Sequence, residues 1–231
     1  MTRSFKYIQI ALFSEGIVLA DKLMIANQIN EISNKIFDGD PVILPLPMHA
    51  PPEIPRIQMT SKEGEYSLLI SQSRVDIIQK FMKEKSISDN DVPEDIFKIF
   101  LLIFSFLHEE LHGQFYRAAI ITEWALEVGV TKPVQAVLSS YMRQDSPINH
   151  PNKIEIHSLY QEQLDSFAIN KWLKIKSFNE QESEIIISID INTTIENQIL
   201  FDKKLLESFL RKAYQRATET FLCQSKSLGG K

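Results

Sequence analysis

His108, Glu109 and His112 stand in the order His-Glu-x-x-His, inside the run His108-Glu109-Glu110-Leu111-His112, the one named catalytic pattern in the chain. On an α-helix, residues four apart share a face. Two histidines at this spacing can hold one zinc ion while the glutamate after the first activates a bound water. That chemistry also needs a third ligand and a helix that carries both histidines. Here Glu110 sets a second charge between them, Gly113 follows at once, and Glu123 and Glu127 downstream belong to a strand-like stretch. His49, His150 and His157 are distant and form no ligand-spaced pair. The same residues suit an ordinary helix end, where histidine complements the negative end of the dipole. The favoured reading therefore assigns no catalytic residue, no cofactor and no metal. The alternative is a zinc-dependent hydrolase with His108 and His112 as ligands and Glu109 as base.

A second group of residues suits binding. Lys171-Trp172-Leu173-Lys174-Ile175-Lys176 mixes basic and aromatic side chains on a strand-like stretch. Such a stretch can stack bases beside phosphate-binding lysines, and it can equally be an edge strand guarded by lysines. Lys171, Trp172, Lys174 and Lys176 form the candidate binding surface. Phosphate chemistry from backbone loops is not indicated, because seven scattered glycines supply neither G-x-G-x-x-G nor a P-loop. Cys223 has no histidine beside it in sequence, so no thiolate nucleophile is assigned.

The elements that must position these residues centre on Pro93 to Val128. Between Ile99 and Leu107 only Ser105 is polar, which predicts a buried central helix over 94–112, closed by Gly113 and capped from Asp91. Helical spacing of apolar residues predicts amphipathic helices over 21–37 and 203–223. A short helix is expected at Pro133–Met142. Alternation predicts strands at 5–13, 56–61, 65–73, 115–128, 153–160, 167–178 and 184–192, with 74–85 either strand or helix. Six prolines between Pro41 and Pro55 make an extended connector. The expected fold is α+β: an antiparallel or mixed sheet of about six to eight strands packed on the central helix and the two amphipathic ones. It is expected as one domain over 1–231, with similar halves 1–113 and 114–231, each running strand, helix, proline-bearing connection, hairpin, helix.

Composition bounds the function class. A 231-residue chain with 44% hydrophobic and 24% charged residues can bury a real core. Its net charge of −5 argues against a protein dominated by phosphate binding, which places nucleic acid third among the partners considered. One cysteine allows no internal disulfide, and Lys6, Gln9 and Glu15 interrupt any signal-like core at the amino terminus. The expected location is cytoplasmic, with no membrane span. The order of Pro55-Arg56-Ile57, the hairpin from Tyr66 to Arg74, the helix leading to Arg117 and the terminal helix around Phe221 resembles an uncharacterised, sporadically distributed family of bacterial proteins of about this length. That family usually carries an aromatic residue near the position of Ile78. The resemblance implies an α+β fold and no activity. The first functional reading is a non-catalytic macromolecule-binding protein with a protein partner or a second copy of itself, in an accessory, chaperone-like or regulatory role.

Overall fold

The computed structural model describes residues 3–47, 49–85, 93–127, 133–142, 151–177, 184–196 and 199–228, with the side chains of 82–85 left aside. In chain order these give β1 (Arg3–Ser14), α1 (Lys22–Ile32), β2 (Val42–Ile43), β3 (Ile57–Thr60), β4 (Tyr66–Ile70), β5 (Arg74–Lys85) and α2 (Glu94–Glu109). They continue with β6 (Phe115–Glu127), α3 (Pro133–Tyr141), β7 (Ile154–Leu164), β8 (Phe167–Ser177), β9 (Glu184–Thr193) and α4 (Lys203–Leu228). The strands form one 9-stranded sheet in the order β2-β3-β4-β5-β1-β6-β9-β8-β7. Every pairing is antiparallel. The fold is α+β as expected, with more strands than the expected six to eight. The two-residue β2 sits among prolines and is too short to show a period, and β5 resolves as a strand because Val75, Ile77 and Gln79 alternate into the interior.

Each half of the sheet is threaded alike. A first strand leads into a helix, then a meander of antiparallel strands whose last member returns beside the first, and then a second helix. Thus β5 pairs with β1, and β9 pairs with β6. At the centre β1 and β6 run antiparallel, with Ile10 opposite Ile120.

Period two then divides the sheet. On one face Ile8, Ile10, Ile77, Ile120, Ile187, Ile189 and Ile191 are wholly buried and share a single core with the inner stripes of the helices. Trp124 belongs to this face, stacked on Phe221 of α4 at 4.8 Å between ring centroids. The opposite face carries Tyr7, Gln9, Phe13, Glu123, Trp172, Lys174 and Asp190, and no described helix covers it. One face makes the core, and among the described residues no helix packs on the other.

The helices differ from expectation at their ends. α1 spans Lys22–Ile32 rather than 21–37: Asp21 caps it by accepting from the Met24 N–H at 2.9 Å, and Asn34 and Lys35 take positive φ (55 and 59) and turn the chain away. α4 runs on to Leu228 because Ser225 and Leu228 extend its buried stripe, and Asp202 accepts from Leu205 N–H at 2.7 Å at its start. α2 is buried on most sides as expected: Leu101 is buried too, Ile99 and Phe106 pack against the core, and the exposed residues form one narrow stripe. Its inner stripe of Ile96, Phe97, Phe100, Ile103, Phe104 and Leu107 faces the core, while Lys98 and Leu102 look outward. The expected cap Asp91 lies outside the described residues; Pro93 takes the cap position, and Arg211 of α4 holds Glu94 at the helix start with bonds of 2.5 and 3.0 Å.

Candidate functional site

α2 stops at Glu109, three residues before the expected 112, so its end does not carry the pair His108 and His112 on successive turns. His112 has φ 52, the left-handed conformation more often given to glycine, and the Gly113 N–H returns to the Leu107 carbonyl at 2.9 Å. Gly113 is required for a different reason than expected. A β-carbon there would lie 2.9 Å from the Leu107 carbonyl oxygen and 3.2 Å from the Phe115 ring. His108 stacks on Phe104 and donates from Nδ1 to the Gly113 carbonyl at 2.8 Å. Glu109 and Glu110 are exposed. Among the described residues no three His, Cys, Asp or Glu side chains converge on one metal position. The HEELH run thus forms a turn that fastens the end of α2 to the start of β6.

The other predicted group lands on β8, where alternation splits it. Lys171 is on the helix side, 2.9 Å from Glu162 and over the Tyr160 ring at 5.2 Å. Trp172, Lys174 and Lys176 are on the open face. The surface therefore has three residues of β8, and its other parts come from the neighbouring β7 and β9 and from β6 and β1 far back in sequence.

Strand register assembles those parts into two rows. One row crosses the sheet as His157, Lys174, Ser188, Glu123 and Tyr7, on β7, β8, β9, β6 and β1. The next reads Leu159, Trp172, Asp190, Ile121 and Gln9 on the same strands. Apart from Leu159 and Gln9, these residues together with Lys176 line a groove of about 490 Å³. Trp172 is 43% exposed and Leu159 beside it 45%. The Ser188 hydroxyl donates to Glu123 Oε2 at 2.9 Å, and Asn192 Nδ2 donates to Asp190 Oδ1 at 3.0 Å.

The groove's charge is nearly balanced. Glu123 and Asp190 face Lys174 and Lys176, with His157 at the rim. Burial pushes the Asp190 carboxyl above the usual aspartate range, against the hydrogen bond from Asn192 and the charges of Arg74, Arg117 and Lys174. Burial also raises the Tyr7 phenol, helped by Glu123 and Asp190. At the rim the hydrogen bond from His157, with the Lys176 ammonium, holds the Glu155 carboxyl below its ordinary value. An indole, paired carboxylates and lysines on one rigid surface can recognise a mixed, partly apolar partner by stacking and charge-assisted hydrogen bonds. A surface meant for phosphates would carry an excess of positive charge.

Further along the same face, the Phe13 ring lies between the guanidinium groups of Arg74 and Arg117, at 4.9 and 4.8 Å from its centroid. Arg74 also donates to Asp76 Oδ1 at 2.7 Å. This cluster, like Tyr7 and Asp190, was not singled out by sequence reasoning, and Glu123 was weighed only as a metal ligand. Period two would have put each on a polar strand face; only the register shows that the faces are one.

No family model and no curated protein matches the chain. A solved structure, the regulatory subunit of aspartate kinase from Thermus flavus, aligns with 93% of this chain and 94% of that chain at 15% identity, with a TM-score of 0.22. A score of that size does not establish a common architecture, and the fold rests on the topology above. No described helix is long and apolar enough to cross a membrane.

Proposed function

We propose that the chain is a non-catalytic binding protein that docks another protein on the open sheet face, around the groove of Trp172, Asp190 and Lys174. One observation carries the reading: a face of a continuous sheet that no described helix covers presents a half-exposed indole beside Leu159, ringed by balanced charge. Tryptophan at the centre of such a patch is the residue type that most often anchors protein interfaces, with polar groups at the rim setting register and partner choice. Balanced charge favours a protein over nucleic acid as the occupant. An accessory or regulatory role suits a chain whose candidate site is a docking surface.

The test is affinity capture by the wild-type chain, repeated with Trp172→Ala and with Lys174→Glu. Support is a partner that both variants lose while their circular dichroism stays that of the wild type. A partner retained at full strength by both variants would remove the assignment.

A further inference from the structure

The two outer edges of the sheet are finished differently. At one end β2 is two residues long and lies between Pro41 and Pro45, with Pro47 beyond, so little main chain is left to pair. Shortness and proline are standard ways to blunt an edge. At the other end β7 is 11 residues, roughly 36 Å of extended chain. It contains no proline, lysine or arginine, it pairs with β8 residue for residue without a bulge, and no described strand lies beyond it. Every second residue of such a strand aims its N–H and C=O away from the sheet. Leu159 and Tyr160 at its middle are 45% and 47% exposed.

We infer that β7 is a pairing edge for a second copy of this chain, joined antiparallel about Leu159 so that two sheets become one. An isologous pair about an axis normal to the sheet keeps each residue on its own face, so opposed positions must be separated by an even number of residues. Leu159 is the midpoint of Ile154–Leu164, and centring there is the register in which all 11 residues find a partner. Glu155 then faces Gln163, His157 faces Gln161, and Ile156 faces Glu162. Glu162 is already neutralised by Lys171 and Arg216 at 2.9 and 3.1 Å. No like charges meet, and Leu159 packs on Leu159 of the other copy. A shift to either neighbouring allowed register sets Leu159 against His157 or Gln161 and leaves strand ends unpaired. Self-complementarity of this kind selects the same strand, where a foreign one would need its own matched pattern.

The pairing also has a consequence for the open face. Leu159 continues the row of Trp172 and Asp190, so the dimer sets the two tryptophans on either side of a leucine pair, in one surface. The edge pairing itself is independent of the protein-docking proposal, because it is read on the purified chain alone.

Sedimentation or light scattering of purified wild-type chain should give twice the 26.6 kDa chain mass. Leu159→Lys sets like charges opposite each other and should raise the dimer dissociation constant by about 100-fold or more, and Leu159→Glu should do the same. Mixing the two variants should restore the dimer, since Lys then faces Glu; circular dichroism and melting of each variant report that the monomer is intact. Wild-type chain that stays monomeric at about 100 μM, a dimer that survives both substitutions, or variants that fail to pair when mixed would each overturn the inference.

Discussion

Trp172 on β8 stands directly opposite Asp190 on β9, so an exposed indole shares a cross-strand step with a carboxylate that burial pushes upward. The ring gives little to the fold, since its strand is already held on both sides by β7 and β9. Trp172→Ala should change stability by less than about 1 kcal/mol and weaken partner binding by at least about 2 kcal/mol, roughly 30-fold. Thermal melting and a titration against the captured partner measure the two effects separately.

Asp190 should cost the fold stability at neutral pH. Its folded pKa is raised from 3.8, so the native state holds its proton more tightly than the unfolded chain. Stability therefore falls as pH rises from near 3.8 through the folded value, and stays lower above it. Asp190→Asn removes that dependence. The variant should be more stable than wild type at pH 7, with a gap that narrows as pH falls toward 3.8. Denaturant melts across that range give the sign directly. A variant less stable at pH 7 would mean that the carboxylate's partners outweigh its desolvation.

The turn after α2 makes opposite predictions for two neighbours. Gly113→Ala drives a methyl into the Leu107 carbonyl at 2.9 Å and the Phe115 ring, and should cost about 1–3 kcal/mol. His112→Gly relieves a left-handed residue at φ 52 and should leave stability unchanged or raise it by up to about 1 kcal/mol. The second variant also addresses the zinc alternative: if His112 ligates a metal, His112→Gly should lose bound zinc and melt lower. Metal content and melting with and without chelator read this out.

Arg211 joins α4 to the first turn of α2 through Glu94 and also meets Glu207 at 3.0 Å. The Arg211 hydrogen bonds hold the Glu94 carboxyl below its ordinary 4.5. A carboxylate depressed in this way stabilises the fold above its unfolded pKa and loses that effect as pH falls through the folded value. Both side chains are some two-fifths exposed, so the pair's worth is limited by solvent screening, under about 1 kcal/mol. Arg211→Met should lower the melting point at pH 7, and the difference from wild type should shrink below pH 4.5.

Much of the fold was legible because its signals are local. The alternation of Ile185, Ile187, Ile189 and Ile191 fixes β9 and its buried face, and the stripe Leu206, Phe209, Leu210 and Ala213 fixes α4. Element ends were less legible. Helix termination at Glu109 depends on His112 adopting a left-handed turn, which nothing in its side chain announces. β2 is held by pairing with β3, a contact absent from the local sequence. The candidate site was visible only in part. Lys171, Trp172, Lys174 and Lys176 share β8, yet period two sends Lys171 to the other face. The groove's other walls, Tyr7, Glu123 and Asp190, lie on three strands and meet Trp172 and Lys174 through register alone.

The most direct measurement of the docking surface is site-specific photocrosslinking from two positions of the same fold that leave Trp172 in place: 157 at the rim of the groove and 102 on the outer face of α2, where Leu102 is 41% exposed. A docking surface at the groove predicts a discrete adduct with another protein from position 157, competed away by unlabelled wild-type chain but not by Lys174→Glu, and none from position 102. Equal adducts from both positions, or an adduct from position 102 alone, would contradict it.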